Sequence, residues 1–114
     1  MKHLTIFEKY GMTIREKLLN DATLYIEAEQ PISIEDGLSE VVYSEHDDGV
    51  YMSFYYKTWV EEDLLDKVYK FLQDNKLKII SEEWHSDIFE IIIKLSENKI
   101  KEYAMLYTAN KYNL

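Results

Sequence analysis

The sequence predicts an α+β domain: about four mainly antiparallel strands, arranged as two hairpins joined by a crossover helix, with helices packed on one face. Three observations predict it. A run of alternating apolar and polar residues brackets Asp48-Gly49, a dipeptide suited to a tight hairpin turn. A second pair of apolar runs brackets His85-Ser86-Asp87. Stretches with apolar residues at helical spacing, two of them opened by capping-box sequences, lie before, between and after the hairpins.

The elements follow in order. Leu4, Phe7 and Tyr10 recur every third residue and stop at Gly11, which reads as a short helix. Thr13-Ile14-Arg15-Glu16 matches a capping box, and Ile14, Leu18, Ala22 and Ile26 follow at spacing four until Pro31 breaks the pattern. A helix over about 13–29 is the preferred reading; a strand over 23–28 is the alternative. Residues 30–37, QPISIEDG, read as a loop. The first hairpin then turns at Asp48-Gly49 as type I′, which needs positive φ at both central positions. That register sets Lys57 opposite Glu40 and His46 opposite Tyr51. It places Val41, Tyr43, Met52, Phe54 and Tyr56 on one face, with Glu40, Val42, Ser44, His46, Tyr51, Ser53, Tyr55 and Lys57 on the other.

A second capping box is read at Thr58-Trp59-Val60-Glu61, ahead of an apolar stripe of Leu64, Leu65, Val68, Phe71 and Leu72 that runs to about 75. Strands are expected over 77–84 and 88–95, the latter with Phe89, Ile91, Ile93 and Leu95 on one apolar face. Ser96 is placed to cap a last helix carrying Ile100, Tyr103, Ala104 and Tyr107. With no repeat or internal linker, 1–114 reads as a single domain.

Composition narrows the function. There is no cysteine, which excludes disulfides, thiolate metal sites and a cysteine nucleophile. The opening MKHLTIFEKYG has a four-residue apolar run, too short for a secretory signal, and no stretch approaches a membrane span. A cytoplasmic location is expected. The net charge is −9, and it is concentrated. Residues 27–66 hold twelve acids against the single base Lys57, a local −11, so the rest of the chain sums to +2. Such a field repels nucleic acid and anionic membrane and draws in basic partners. The plainer role for it is solubility.

No catalytic signature is present. The three glycines stand apart, so no glycine-rich loop cradles a phosphate, and no serine sits in a nucleophile elbow. Histidines occur beside acids in Glu45-His46-Asp47-Asp48 and in Glu82-Glu83-Trp84-His85-Ser86-Asp87. As tips of two hairpins at opposite ends of a sheet they read as polar turns, and no metal or cofactor site is expected. Adjacent Glu82 and Glu83 point to opposite faces of a strand and cannot work as an acid–base pair.

The densest aromatic run, Tyr51 to Trp59, lies between two acidic patches. Phe54 and Tyr56 belong to the core face. Tyr51 and Tyr55 face the other way and meet solvent if helices cover only one side. Exposed tyrosines bring contact area at low entropy cost. The expected function is therefore a non-enzymatic acidic protein that neutralises a basic protein partner, with Tyr51 and Tyr55 as anchors and Glu45, Asp47, Asp48, Glu61, Glu62 and Asp63 steering it. In class this matches immunity proteins set against toxin nucleases or effectors. The alternatives are a phage nucleic-acid mimic that blocks a defence protein, and a small ligand-binding or metal-dependent enzymatic domain.

Overall fold

The computed structural model describes residues 12–112. It contains α1 (Ile14–Ala28), β1 (Leu38–His46), β2 (Gly49–Lys57), α2 (Glu62–Asp74), β3 (Ile79–Trp84), β4 (Ile88–Leu95) and α3 (Glu97–Tyr112). The four strands form one antiparallel sheet in the order β1-β2-β4-β3. The expected α+β class and its two hairpins joined by a helix are both present. The expected short helix around Leu4, Phe7 and Tyr10 lies outside the described residues.

Alternation along β2 shows why the sheet has one dry face. Val50, Met52, Phe54 and Tyr56 are at most 1% exposed, while the residues between them are half-buried. On β4, Phe89, Ile91, Ile93 and Leu95 join the same face. Each such side chain contributes roughly 1.5–3 kcal/mol on burial. Leu19, Ala22 and Ile26 of α1, Val68 and Leu72 of α2, and Ile100, Tyr103 and Ala104 of α3 complete that core, so all three helices lie on one side. The two most apolar strands are central. The edge strands β1 and β3 carry Glu40, Glu45, Glu82 and Glu83, and each is broken by a bulge, between Leu38 and Glu40 and between Ile79 and Ser81. Charge and bulges on edges discourage pairing with other chains.

The first hairpin differs in register from expectation. Its loop is Asp47-Asp48, with His46 paired to Gly49 and Glu45 to Val50. Gly49 alone has positive φ, at 141°; the two aspartates do not need it. A type I′ turn over Asp48-Gly49 would force an aspartate into the left-handed region, and the observed loop leaves that conformation to glycine. β1 is therefore displaced by two positions against β2. Glu40 opposes Tyr55 rather than Lys57, and Ser44 rather than His46 opposes Tyr51. Because side chains alternate with period two, this displacement keeps every residue on its expected face.

Helix starts divide in the same way. Thr13 caps α1 as its sequence predicts: its hydroxyl accepts from the Glu16 amide at 3.0 Å, and Glu16 accepts from the Thr13 amide at 2.8 Å. The second capping box does not form. The N-cap of α2 is Glu61, without a side-chain bond. β2 stays in its ladder as far as Lys57, opposite Ile88, so Thr58 and Trp59 are used to turn the chain. Ser96 does cap α3, accepting from the Lys99 amide at 3.2 Å.

Candidate functional site

The face of the sheet opposite the helices is built from alternate residues of three strands. Val42, Ser44 and His46 come from β1, Tyr51, Ser53 and Tyr55 from β2, and Glu90 and Ile92 from β4. With Asp48 they line a shallow concavity of about 570 Å³. Among the described residues no helix packs on this face, so Tyr51 and Tyr55 are half-buried by their strand neighbours alone.

Tyr51 is fixed at one end. Its hydroxyl donates to Asp48 Oδ2 at 2.6 Å, the His46 ring meets it edge-on at 5.2 Å, and Lys94 Nζ lies 5.8 Å from its ring centre. The hydrogen bond from Tyr51 lowers the Asp48 pKa and raises that of Tyr51. Tyr55 stands opposite Glu40 on one side and Glu90 on the other. Burial first, then its hydrogen bond to Glu90, raises the Tyr55 pKa.

Glu90 is the deepest charge on this face, at 8% exposure. Burial pushes its carboxyl up, but hydrogen bonds from His85, Ser53 and Tyr55 outweigh that and leave it below the ordinary value. His85 Nε2 is 2.9 Å from Glu90 Oε1. Glu83 lies opposite Glu90 across the β3–β4 ladder and accepts from Ser81 Oγ at 3.3 Å. One ligand atom from each of Glu83, His85 and Glu90 falls within 4.8 Å of the others, so among the described residues these three could hold a metal.

The residues expected to bind a partner are only partly brought together. Asp47 and Asp48 are exposed in the β1–β2 turn. Glu61, Glu62 and Asp63 are exposed around the start of α2, beyond the other end of β2. The nine residues of β2 between these patches span roughly 30 Å, with Tyr51 and Tyr55 along them on one face. Glu45 stands apart. It points to the helix side, where Arg15 binds it at 3.0 Å and grips Glu97 with two nitrogens at 2.8 and 2.6 Å. Its charge is spent on a structural contact.

His46 and His85 occupy opposite ends of the sheet, because β2 runs antiparallel to β4: Val50 pairs with Leu95 and Lys57 with Ile88. Glu82 and Glu83 also point to opposite faces, Glu82 accepting from Tyr69 of α2 at 2.7 Å. Three residues escaped the reading of the sequence as site candidates. Glu90 lies within an apolar strand, and only the pairing of β3 with β4 sets it against Glu83. Trp59 and Trp84 are 62% and 66% exposed at the end of the sheet nearest Glu61–Asp63. Their residue type, which dominates interface hot spots, was the available signal.

Among the described residues no helix is long and apolar enough to cross a membrane. No family model, no curated protein and no solved structure matches this chain.

Proposed function

We propose that this chain is a non-enzymatic acidic binding protein that captures a basic protein on the open face of its sheet, in the manner of an immunity protein against a toxin nuclease or effector. The observation that carries the reading is the placement of Tyr51 and Tyr55 on a face that no helix among the described residues covers, between Asp47-Asp48 at one end and Glu61–Asp63 at the other. Nuclease active sites are basic because they hold phosphate. An acidic surface speeds encounter with such a partner through its long-range field, and central aromatics slow release by excluding water from the contact.

Two features of the face refine the proposal. Tyr51 is already held by Asp48, so less side-chain freedom is lost on binding. Lys57 and Lys94 also lie on this face. They interrupt any continuous line of carboxylates, which weighs against the phosphate-mimicking role.

Affinity capture from source cells tests the reading. The wild-type chain is expected to retain one basic polypeptide at 0.15 M salt, and the Tyr51→Ala/Tyr55→Ala variant is expected to lose it. Equal recovery by wild type and variant, or an acidic captured protein, would contradict it.

A further inference from the structure

The β3–β4 hairpin places Glu83 and Glu90 directly opposite each other in register. Like charges in that position repel across about 5 Å, and Glu90 is nearly removed from water, which strengthens the repulsion. A cation held between the two carboxylates would relieve that repulsion. His85 closes the third side, its Nε2 turned to Glu90 and its backbone amide tied to Ile88 O at 2.8 Å, which fixes the turn that carries it. Hydroxyls orient both carboxylates from neighbouring positions: Ser81 donates to Glu83, and Ser53 and Tyr55 hydrogen-bond to Glu90. Such outer contacts hold metal ligands in place.

We infer that Glu83, His85 and Glu90 form a binding site for a divalent first-row transition metal of the zinc or manganese class, at the end of the open face away from Asp47-Asp48. The chemistry of the donors selects the class. One imidazole and two carboxylates suit zinc, manganese or cobalt. Calcium takes six to eight oxygen ligands, and magnesium keeps most of its water. With three protein donors and His85 about half exposed, a further position stays open toward solvent. The site goes beyond the partner-binding proposal, and its metal uptake is measured without a partner: it adjoins that surface at Tyr55, which hydrogen-bonds to Glu90, while Tyr51, Asp47 and Asp48 lie toward the opposite end of the sheet.

Isothermal titration with ZnCl2, MnCl2, MgCl2 and CaCl2 tests the site on the purified chain. The His3→Gln/His46→Gln variant, which keeps His85 as its one histidine, separates this uptake from any at the other two. Both wild type and that variant are expected to show saturable Zn²⁺ uptake at this site with a stoichiometry of one, at least tenfold tighter than Mg²⁺ or Ca²⁺. His85→Gln and Glu83→Gln, both at exposed positions and so expected to fold, should each weaken it tenfold or more. Mn²⁺ should broaden the amide resonances of Glu83, Tyr55 and Glu90 in preference to those of the Asp47-Asp48 turn. Absence of saturable Zn²⁺ and Mn²⁺ uptake would overturn the assignment and leave the carboxylates to a partner's basic side chain. Uptake that persists unchanged in both His85→Gln and Glu83→Gln would overturn it equally.

Discussion

Arg15 joins three elements with one side chain, since it binds Glu45 at the end of β1 and Glu97 at the start of α3 from its own place in the first turn of α1. The bidentate grip on Glu97 is the stronger geometry, and the hydrogen bonds hold the Glu97 carboxyl below its usual range. All three side chains are a third or more exposed, so solvent screens the network and Arg15→Gln should cost only about 1 kcal/mol at pH 7. The sign follows from the depressed carboxyl. Its contribution is present above the ordinary glutamate value near 4.3 and is lost as pH falls through the lower folded value. Urea melts of wild type and Arg15→Gln should therefore differ at pH 7 and draw together as the pH falls below the ordinary glutamate range and through the lowered Glu97 value. Tyr103 tests the opposite case. Its hydroxyl is buried with no partner among the described residues, its pKa is pushed up to about 12 by burial, and its ring stacks on Tyr25 at 5.3 Å. Tyr103→Phe keeps the ring and removes the unpaired group, so thermal denaturation should show unchanged or slightly raised stability, by up to about 1 kcal/mol. Tyr103 was placed on the apolar face of the last helix by its spacing, whereas the roles of Arg15 and Glu90 were not legible in the sequence. Arg15 meets partners 30 and 82 residues away, and Glu90 looks like an interruption of an apolar strand until the hairpin sets it beside Glu83.

At the scale of elements, local chemistry was readable where local chemistry decides. Thr13 and Glu16 close a capping box because nothing else competes for them, whereas Thr58 and Glu61 match the same pattern and fail because the β2 ladder holds the chain extended to Lys57. Faces were readable and register was not. The alternation of Met52, Phe54 and Tyr56 identifies the buried side under either register, while the loop that fixes the pairing depends on which single residue takes positive φ. The end of α2 shows the same economy. Lys76 sits at φ 57°, the Leu77 amide donates to Leu72 O at 2.8 Å and the Lys76 amide donates to Gln73 O at 3.0 Å, a Schellman closure with a lysine where glycine is favoured. Lys76→Gly should raise stability by about 0.5–1 kcal/mol, measured as a higher urea midpoint with an unchanged slope. A loss of stability would mean that the lysine side chain itself holds this turn.

The described residues divide into a helix-covered side that carries the fold and an open side that carries tyrosines and carboxylates. Concentration of charge within residues 27–66 was visible in the sequence, and so was the separation of Tyr51 and Tyr55 from Phe54 and Tyr56. Which acids serve the surface was not visible, because Glu45 turns to Arg15 while Asp47 and Asp48 stay in solvent. If the open face is the binding surface, its charges and its aromatics must act on different rates. Rim carboxylates govern association and its salt dependence, and central aromatics govern dissociation. The most direct test is surface plasmon resonance of the wild type, Asp47→Asn/Asp48→Asn and Tyr55→Ala against the captured basic partner, at 0.15 M and 1 M salt. The asparagine variant should associate more slowly at 0.15 M, and the difference should close at 1 M, where the Debye length is about 3 Å. Tyr55→Ala should dissociate roughly 30-fold faster, corresponding to about 2 kcal/mol. Unchanged dissociation of Tyr55→Ala together with normal association of the asparagine variant at low salt would contradict the account and leave the acidic segment with solubility as its only role.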